Sequence, residues 1–286
     1  MTMMKRLAAL VLALAMLLTL AACGGDNADE NDAQSGGSTL VYGSGDYTRI
    51  NPAMDEHGEI NVLLFDGLTD HDGDGQVIPR LAESWDYDPD TLTYTFYLAQ
   101  GVTWHDGQPF TAEDVKFTYE AIMDPDNGSE NAPNYEDVTD ITVIDDHTVS
   151  FTLSAVNTAF LEYMTMAILP RHLLEGEDMQ TSDFFRTPVG TGPYKLESWD
   201  VGQSITLVKN PDYFAGAANI DTIVFKIVTD SNTKAMQLQT GELDLAQVTP
   251  KDAASFEGEA GYTVYDMTTS DYRGILYNFN NTYWQE

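Results

Sequence analysis

Short segments in which apolar and polar residues alternate run through most of the chain. Residues 92–98 read Leu-Thr-Tyr-Thr-Phe-Tyr-Leu, which has the two-residue period of a strand with one buried face. Residues 141–153 hold two such runs, one on each side of an Asp145-Asp146 turn. Further strands are predicted at residues 39–43, 194–196, 204–209, 220–228, 243–245, 262–267 and 274–279.

Other segments have the spacing of amphipathic helices. Residues 60–68 place Ile60, Leu63, Leu64 and Leu68 on one face, and a helical stretch is predicted from residue 157 to just before Pro170. Two further helices carry end signals. One begins near residue 111 with a Thr-x-x-Asp capping box, and the other covers residues 232–240 and is closed by a glycine. Strands that alternate with helices, without a repeat period, predict an α/β protein.

The first residues have the pattern of an export signal. Lys5 and Arg6 precede an apolar run at residues 7–20, which is too short to span a bilayer. Leu-Ala-Ala then leads to Cys23, the only cysteine. This arrangement resembles a bacterial lipoprotein signal, in which residues 1–22 are removed and Cys23 is lipidated, with palmitate among the expected acyl chains. The alternative is an ordinary secretory cleavage site with Cys23 just beyond it.

Residues 23–38 are predicted to be a flexible tether. From residue 24 the segment contains four acidic residues, no basic residue and no aromatic residue, so it cannot bury enough surface to fold. Fifteen flexible residues have a root-mean-square reach of about 20 Å. Such a tether would lift a folded domain off a membrane surface.

Composition then limits the classes of function. The 286 residues are 43% hydrophobic, which is enough for a substantial core, and the 13 basic and 46 acidic residues give a net charge of 13 − 46 = −33. This charge disfavours nucleic acids and anionic membrane surfaces as partners. It indicates a solvated surface in a salty or extracellular setting, or, alternatively, a cationic ligand. A single cysteine excludes internal disulfides and thiolate-cluster metal sites.

The sequence contains none of the common hydrolase or phosphate-binding motifs, and its five histidines are scattered singly, so we expect no enzyme activity and no cofactor. The best metal candidate is the acidic segment 70–75, which has the Asp-x-Asp-x-Asp-Gly opening of an EF-hand loop. Its twelfth position, however, is Leu81 instead of a bidentate glutamate. We therefore expect an acidic hairpin turn there and no metal site.

A series of motifs, in a fixed order, resembles the family 5 extracellular solute-binding proteins, the peptide- and nickel-type receptors of ABC importers. One departure is Ala99-Gln100, where the family commonly has a basic residue before Gly-Val. The resemblance covers the chain from residue 39 to its end. Its motifs are LAESW at 81–85, GVTWHDG at 101–107, FTAEDVKFT at 110–118, LPRH at 169–172, GTGPYKL at 190–196, NPDYF at 210–214, LQTGELD at 238–244 and YNFN at 277–280.

The resemblance implies a periplasmic-binding-protein-like fold of type II, similar to cluster C, with an inserted extra lobe. Residues 39–55 and 183–272 would form the first lobe, and residues 56–182 the inserted second lobe. Residues 273–286 would begin a third lobe that is truncated here, because family members are roughly twice this length. The sequence therefore resembles the N-terminal part of a longer receptor.

The function that the resemblance implies is capture of oligopeptides, or of a related small solute, and their delivery to the permease subunits of an ABC importer. The protein would be a monomer, lipid-anchored on the extracellular face or in the periplasmic space. Alternatives are a peptide-sensing lipoprotein without a transporter and a surface-anchored hydrolase. The ligand contacts carried over by position are Asp55, Glu56 and His57 after the first strand, Gln247 and Thr249 in a strand-end loop, and Tyr272 and Tyr277 at the hinge.

Overall fold

The computed structural model describes residues 37–54 and 58–266. This part of the chain has an α/β architecture, as predicted, and contains eleven strands in three sheets. The strands are β1 (Thr39–Ser44), β2 (Thr69–His71), β3 (Val77–Pro79), β4 (Ala82–Asp88), β5 (Thr93–Leu98), β6 (Val138–Asp145), β7 (Thr148–Leu153), β8 (Tyr194–Asp200), β9 (Ser204–Lys209), β10 (Thr222–Ile227) and β11 (Leu245–Ala246).

The described helices are short, apart from two. The α-helices are α1 (Asn61–Leu64), α2 (Ala112–Met123), α3 (Phe160–Tyr163), α4 (Arg171–Leu174), α5 (Ser231–Thr240) and α6 (Pro250–Ala253), with 3-10 turns at Ala132–Tyr135 and Asp183–Arg186. Both predicted end signals are confirmed. The side chains and backbones of Thr111 and Asp114 form a reciprocal capping box at the start of α2, and Gly241, with φ of 73°, ends α5 in the left-handed conformation.

The largest sheet has five strands in the order β11-β1-β10-β9-β8. Strand β1 lies parallel to both β10 and β11, with Thr39 opposite Thr222 and Ser44 opposite Ile227. Strands β8, β9 and β10 form an antiparallel meander. Apolar residues at alternate positions of β9 and β10 are buried, which is the pattern expected for a sheet packed on one face.

The second sheet is an antiparallel arrangement of four strands in the order β4-β5-β7-β6, and α2 packs on it. Its core is aromatic: Phe96 and Phe151 lie edge to face at 5.7 Å, and Tyr119 of α2 contacts Phe151 in the same manner at 5.1 Å. The third sheet is the β2-β3 hairpin, whose turn is the predicted acidic hairpin turn.

A close backbone contact joins α1 to the segment that leads into β8. Gly190 and Gly192 lie against the main chain of Leu64 at the end of α1, where a side chain on either glycine would collide with it. Between them, the Thr191 hydroxyl donates to Asp66 Oδ2 at 3.0 Å. The buried carboxylate of Asp66 also accepts from Arg80 Nε at 2.8 Å and from the Tyr213 hydroxyl at 2.7 Å. The sequence motif Gly-Thr-Gly therefore holds the start of β8 against α1 and the residues that follow it.

Two predicted helices are much shorter than expected. The helix predicted at 60–68 covers only Asn61–Leu64, because Phe65 has an extended backbone and residues 66–69 form backbone hydrogen bonds with residues 164–168. In the stretch predicted from residue 157, only Phe160–Tyr163 is helical. The Ile168 amide donates to Asp66 O and the Thr69 amide to Met164 O, so these two segments satisfy each other's backbone groups.

The last predicted strands also differ. The described residues of the strand predicted at 262–267 form no strand, and the one predicted at 243–245 is reduced to Leu245–Ala246. Leu243 is buried before the strand begins, so its apolar character reflects packing and not strand pairing. The assignment of residues to lobes stays a prediction. None of the described helices is both long enough and apolar enough to cross a membrane.

Candidate functional site

The parallel strands of the five-stranded sheet define one edge that is suited to a ligand. Because β1, β10 and β11 run in the same direction, Ser44, Ile227 and Ala246 end at the same edge of the sheet. Crevices outside the carboxyl ends of parallel strands are the usual ligand sites of open α/β sheets. The loops that follow these three strands are therefore the candidate site.

The loop after β11 presents two of the predicted contact residues. Gln247 and Thr249 are both exposed, and no hydrogen bond of the Gln247 side chain is formed within the described residues. Thr249 is held in place as the cap of α6: its hydroxyl donates to Asp252 Oδ2 at 2.7 Å, and its amide donates to Ser231 Oγ at 3.0 Å. The loop backbone is thus fixed, while the Gln247 amide group remains open to a ligand.

Asp252 connects this loop to the start of α5. Its Oδ2 atom accepts from Ser231 Oγ at 2.5 Å and from the Thr249 hydroxyl. The hydrogen bond from Ser231, followed by that from Thr249, lowers the pKa of Asp252, so the carboxylate is ionised at neutral pH. The N-terminus of α5 is capped separately by Asp230, which accepts from the Thr233 amide at 2.8 Å. The ends of β10 and β11 are therefore linked through side chains.

The loop after β1 is closed by a carboxylate held between two tyrosines. The hydroxyls of Tyr42 and Tyr47 donate to Glu59 Oε1 and Oε2, respectively, each at 3.1 Å. Burial, together with the Glu59 charge, raises the pKa of both tyrosines, that of Tyr47 to about 12. Both rings also lie edge-on to Phe225 of β10. Glu59 thus ties the two ends of the segment 48–58 to the sheet.

The seven predicted contact residues divide into two groups. The structure brings Gln247 and Thr249 to the carboxyl edge of the five-stranded sheet, in the loop after β11. The other predicted residues, together with the lipidation candidate Cys23, lie outside the described residues: Asp55, Glu56, His57, Tyr272 and Tyr277. The roles of all seven stay predictions.

Sequence reasoning missed the Tyr42, Tyr47 and Glu59 cluster. The two tyrosines are five residues apart, across a strand end, and Glu59 follows a further loop, so no regular period relates the three. The only available signal was their position around the first predicted strand. Spatial proximity of this kind depends on the path of the loop, which residue spacing does not encode.

The acidic hairpin uses its central carboxylate for the turn itself. Asp72 Oδ1 accepts from the amides of Asp74 and Gln76, each at 2.9 Å. Among residues 37–54 and 58–266, no cluster of three or more histidine, cysteine or acidic side chains is placed to hold a metal ion. This geometry gives the acidic sequence a structural role in the β2-β3 connection.

Comparison with protein families gives one match over most of the chain. The family described as "Bacterial extracellular solute-binding proteins, family 5 Middle" matches residues 76–286. Among curated proteins, the oligopeptide-binding protein AppA of Bacillus subtilis is 32% identical over 274 residues, which cover 89% of this chain and 50% of AppA.

Two solved structures with similar folds are those of NikZ and AppA. NikZ from Campylobacter jejuni, crystallised in complex with Ni(L-His), superposes with a TM-score of 0.82 at 32% identity, over 87% of this chain and 51% of NikZ. The structure of Bacillus subtilis AppA in complex with a nonapeptide has a TM-score of 0.74 at 33% identity, over 78% of this chain and 46% of AppA. The chain thus spans about half the length of the relatives it matches.

Proposed function

The chain belongs to the bacterial extracellular solute-binding proteins of family 5, and on that premise we propose that it captures oligopeptides for an ABC importer. The observation that carries this proposal is the open side chain of Gln247, on a braced loop at the carboxyl edge of three parallel strands. A rigid loop with free amide donors and acceptors suits the peptide groups of an extended ligand, because each can pair without first ordering the loop.

The relatives support peptides as the ligand class. AppA is named as an oligopeptide-binding protein, and its structure contains a nonapeptide. NikZ was crystallised with a nickel complex of histidine, so a related amino-acid complex is the second ligand class to test. We propose a peptide ligand because AppA, an oligopeptide-binding protein, is similar to this chain in both sequence and structure.

The proposed mechanism is capture by closure of lobes, without covalent chemistry. The first lobe would consist of residues 39–55 and 183–272, the second of residues 56–182, and a third would begin at residue 273. Ligand contacts between lobes stabilise the closed state by their differential affinity for it. In this proposal, Gln247 and Thr249 act with Asp55, Glu56, His57, Tyr272 and Tyr277 in binding the ligand.

Delivery would occur at the outer surface of a membrane. We propose that Cys23 carries a lipid and that residues 24–38 tether a monomeric receptor near the permease subunits. A reach of about 20 Å keeps the receptor close to its partner, so that the effective concentration of the ligand-loaded form is high.

Two experiments test the proposal. The protein is first extended through any downstream reading frame, and mass spectrometry of the solutes that co-purify with it identifies the ligand class. Calorimetry then measures the affinity for a peptide identified in this way. Gln247→Ala should weaken binding roughly threefold to tenfold, the free energy of one lost hydrogen bond. Gln76→Ala changes the same residue type on the β2-β3 hairpin and should leave the affinity unchanged.

Equal peptide affinity of the two variants would contradict the role of Gln247 at the site. Absence of any bound peptide or amino-acid complex would contradict capture as such. Peptide uptake by cells that lack the gene separates import from sensing, because a sensor binds peptide and leaves uptake unchanged.

A further inference from the structure

A second cleft lies along β8, at the far side of the five-stranded sheet from β11. It has a volume of about 660 Å³, within the range of small-molecule sites. Its walls are β8, the segment 186–189 that precedes it, and His105 and Asp106 from the loop after β5. Two strands, β9 and β10, separate β8 from β1, so this cleft is distinct from the candidate peptide site.

Two cations in this cleft have no carboxylate partner among the described residues. They are Arg186 and Lys195. The chain has 46 acidic residues for 13 basic ones, so partners are abundant, and five other described basic side chains form ion pairs. Two unneutralised cations that line the same concave surface create a local attraction for an anion in an otherwise acidic protein.

Contacts with the cleft wall fix both cations in place. The Arg186 guanidinium lies over the Trp199 ring, 5.0 Å from its centroid. Lys195 Nζ donates to the main-chain oxygen of His105 at 3.2 Å, which leaves two of its three N–H groups for a ligand. The half-buried indole of Trp199 also offers a flat apolar surface beside these donors.

The other titratable groups of the cleft add little positive charge. His105 is neutral at pH 7, because burial lowers its pKa to about 4. Asp106 has a lowered pKa and is ionised, with its Oδ2 atom 2.8 Å from His172 Nε2, so its charge also opposes that of the two cations. Glu197 is exposed at an irregularity in the pairing of β8 with β9 and is the one acidic lining residue without a described partner. Its charge opposes that of the two cations.

We propose that this cleft binds a small organic anion with a flat apolar body, such as an aromatic carboxylate. Arg186 and Lys195 hold the carboxylate, and Trp199 packs against the ring. The cleft is independent of the peptide site, so failure of either proposal leaves the other unaffected.

The test uses 2-naphthoate as the probe, with 2-naphthamide as the uncharged ligand of the same shape, and calorimetry on the 286-residue chain. Arg186→Gln and Lys195→Gln should each weaken naphthoate binding on the order of tenfold, the effect of losing a charged hydrogen bond. Glu197→Gln should tighten it, since it removes a like charge. Lys116→Gln changes a cation on α2 by the same amount and should have no effect.

Three results support the proposal together: naphthoate binds more tightly than naphthamide, the difference shrinks as salt rises, and the Glu197→Gln and Lys195→Gln effects have opposite signs. Quenching of tryptophan fluorescence that disappears in Trp199→Phe locates the probe. The proposal is overturned if the two ligands bind alike, if neither binds to the parent or to Glu197→Gln, or if Lys116→Gln weakens binding as much as Lys195→Gln.

Discussion

Gly190 leaves no room for a side chain above Leu64: a β-carbon at residue 190 would lie 1.7 Å from the Leu64 carbonyl oxygen. That oxygen is backbone at the end of α1, and it also accepts from the Gly192 amide at 2.9 Å. It can therefore move only if the contact between α1 and the segment before β8 opens.

Gly190→Ala should therefore be among the most damaging single substitutions in the described chain. We expect a loss of more than about 3 kcal/mol in the free energy of unfolding, because the overlap is with backbone. Gly73→Ala is the matched control, since nothing lies within 4 Å of a β-carbon there, and it should change stability by less than about 0.5 kcal/mol. Urea denaturation measures both. Equal midpoints for the two variants would refute the close contact.

His105 should make the free energy of unfolding decrease as the pH falls. Its Nδ1 accepts from the Gly190 amide at 3.1 Å, so the neutral ring carries its proton on Nε2, which donates to Gly192 O at 3.0 Å. Burial lowers the pKa of His105 from 6.5 to about 4. The unfolded chain then binds the proton more readily, and stability present above pH 6.5 is lost as the pH falls toward 4.

The contribution of His105 over this window is on the order of 2–3 kcal/mol. In His105→Asn, which cannot titrate, the free energy of unfolding should decrease less between pH 7 and pH 4 than in the parent protein. His147→Asn is the control at another histidine. If the parent and His105→Asn curves are parallel across this range, His105 does not titrate as described.

Asp114 serves two backbone groups from different segments. Its Oδ2 atom accepts from the Thr111 amide and its Oδ1 atom from the Arg171 amide, each at 2.9 Å. Asp114→Ala should cost about 2–3 kcal/mol in unfolding free energy, because it removes a cap and leaves a second amide without its acceptor. Glu113→Gln changes the neighbouring, exposed acid and should cost less than about 0.5 kcal/mol. Thermal or urea unfolding measures both variants. Similar losses of unfolding free energy in Asp114→Ala and Glu113→Gln would contradict the role assigned to Asp114.

Cys23 should determine attachment to the membrane. We expect the parent protein to fractionate with membranes and Cys23→Ser to appear in the soluble fraction or the medium, because the lipid has no other thiol to join. A Cys23→Ser protein that remains with the membrane as fully as the parent would show that attachment does not depend on this residue.

Calcium should bind weakly, if at all, to the acidic hairpin. Asp72 is occupied by the turn, and the position expected to supply a bidentate glutamate is Leu81, which is fully buried. Calorimetric titration should show no stoichiometric binding at micromolar calcium. Micromolar binding that is lost in Asp72→Ala would contradict this prediction.

The elements that could be predicted from sequence are those whose signals are local. The alternation at residues 92–98, which forms β5 (Thr93–Leu98), the capping box of Thr111 and the glycine after α5 each depend on neighbours within a few residues, and each is confirmed. The lengths of α1 and α3 were overestimated. Residues 66–69 and 164–168 form backbone hydrogen bonds with each other, and the spacing of apolar residues does not distinguish such pairing from a helix.

The same difference between local signals and long-range contacts applies to the candidate site. The loop with Gln247 and Thr249 was predicted only through the resemblance to the family, and the role of both residues stays a prediction. The role of Glu59 could not be predicted, because it depends on the position of Glu59 in space relative to Tyr42 and Tyr47. The cleft at Arg186 and Lys195 is likewise formed by segments about 90 residues apart, as the contact of Lys195 with His105 shows.

The position of β1 constrains the order in which the chain can fold. β1 pairs on one side with β10, and the pairing of Ser38 with Asp221 bridges 183 residues, so this sheet cannot close until β10 has been synthesised. The residues of the four-stranded sheet lie between β1 and β10 in the sequence, and its antiparallel strands pair with neighbours much closer along the chain. Contacts of low sequence separation form first, because they cost less loop entropy. Until β10 has formed, β1 has neither of its two parallel partners, and an unpaired strand edge of this kind is prone to aggregation.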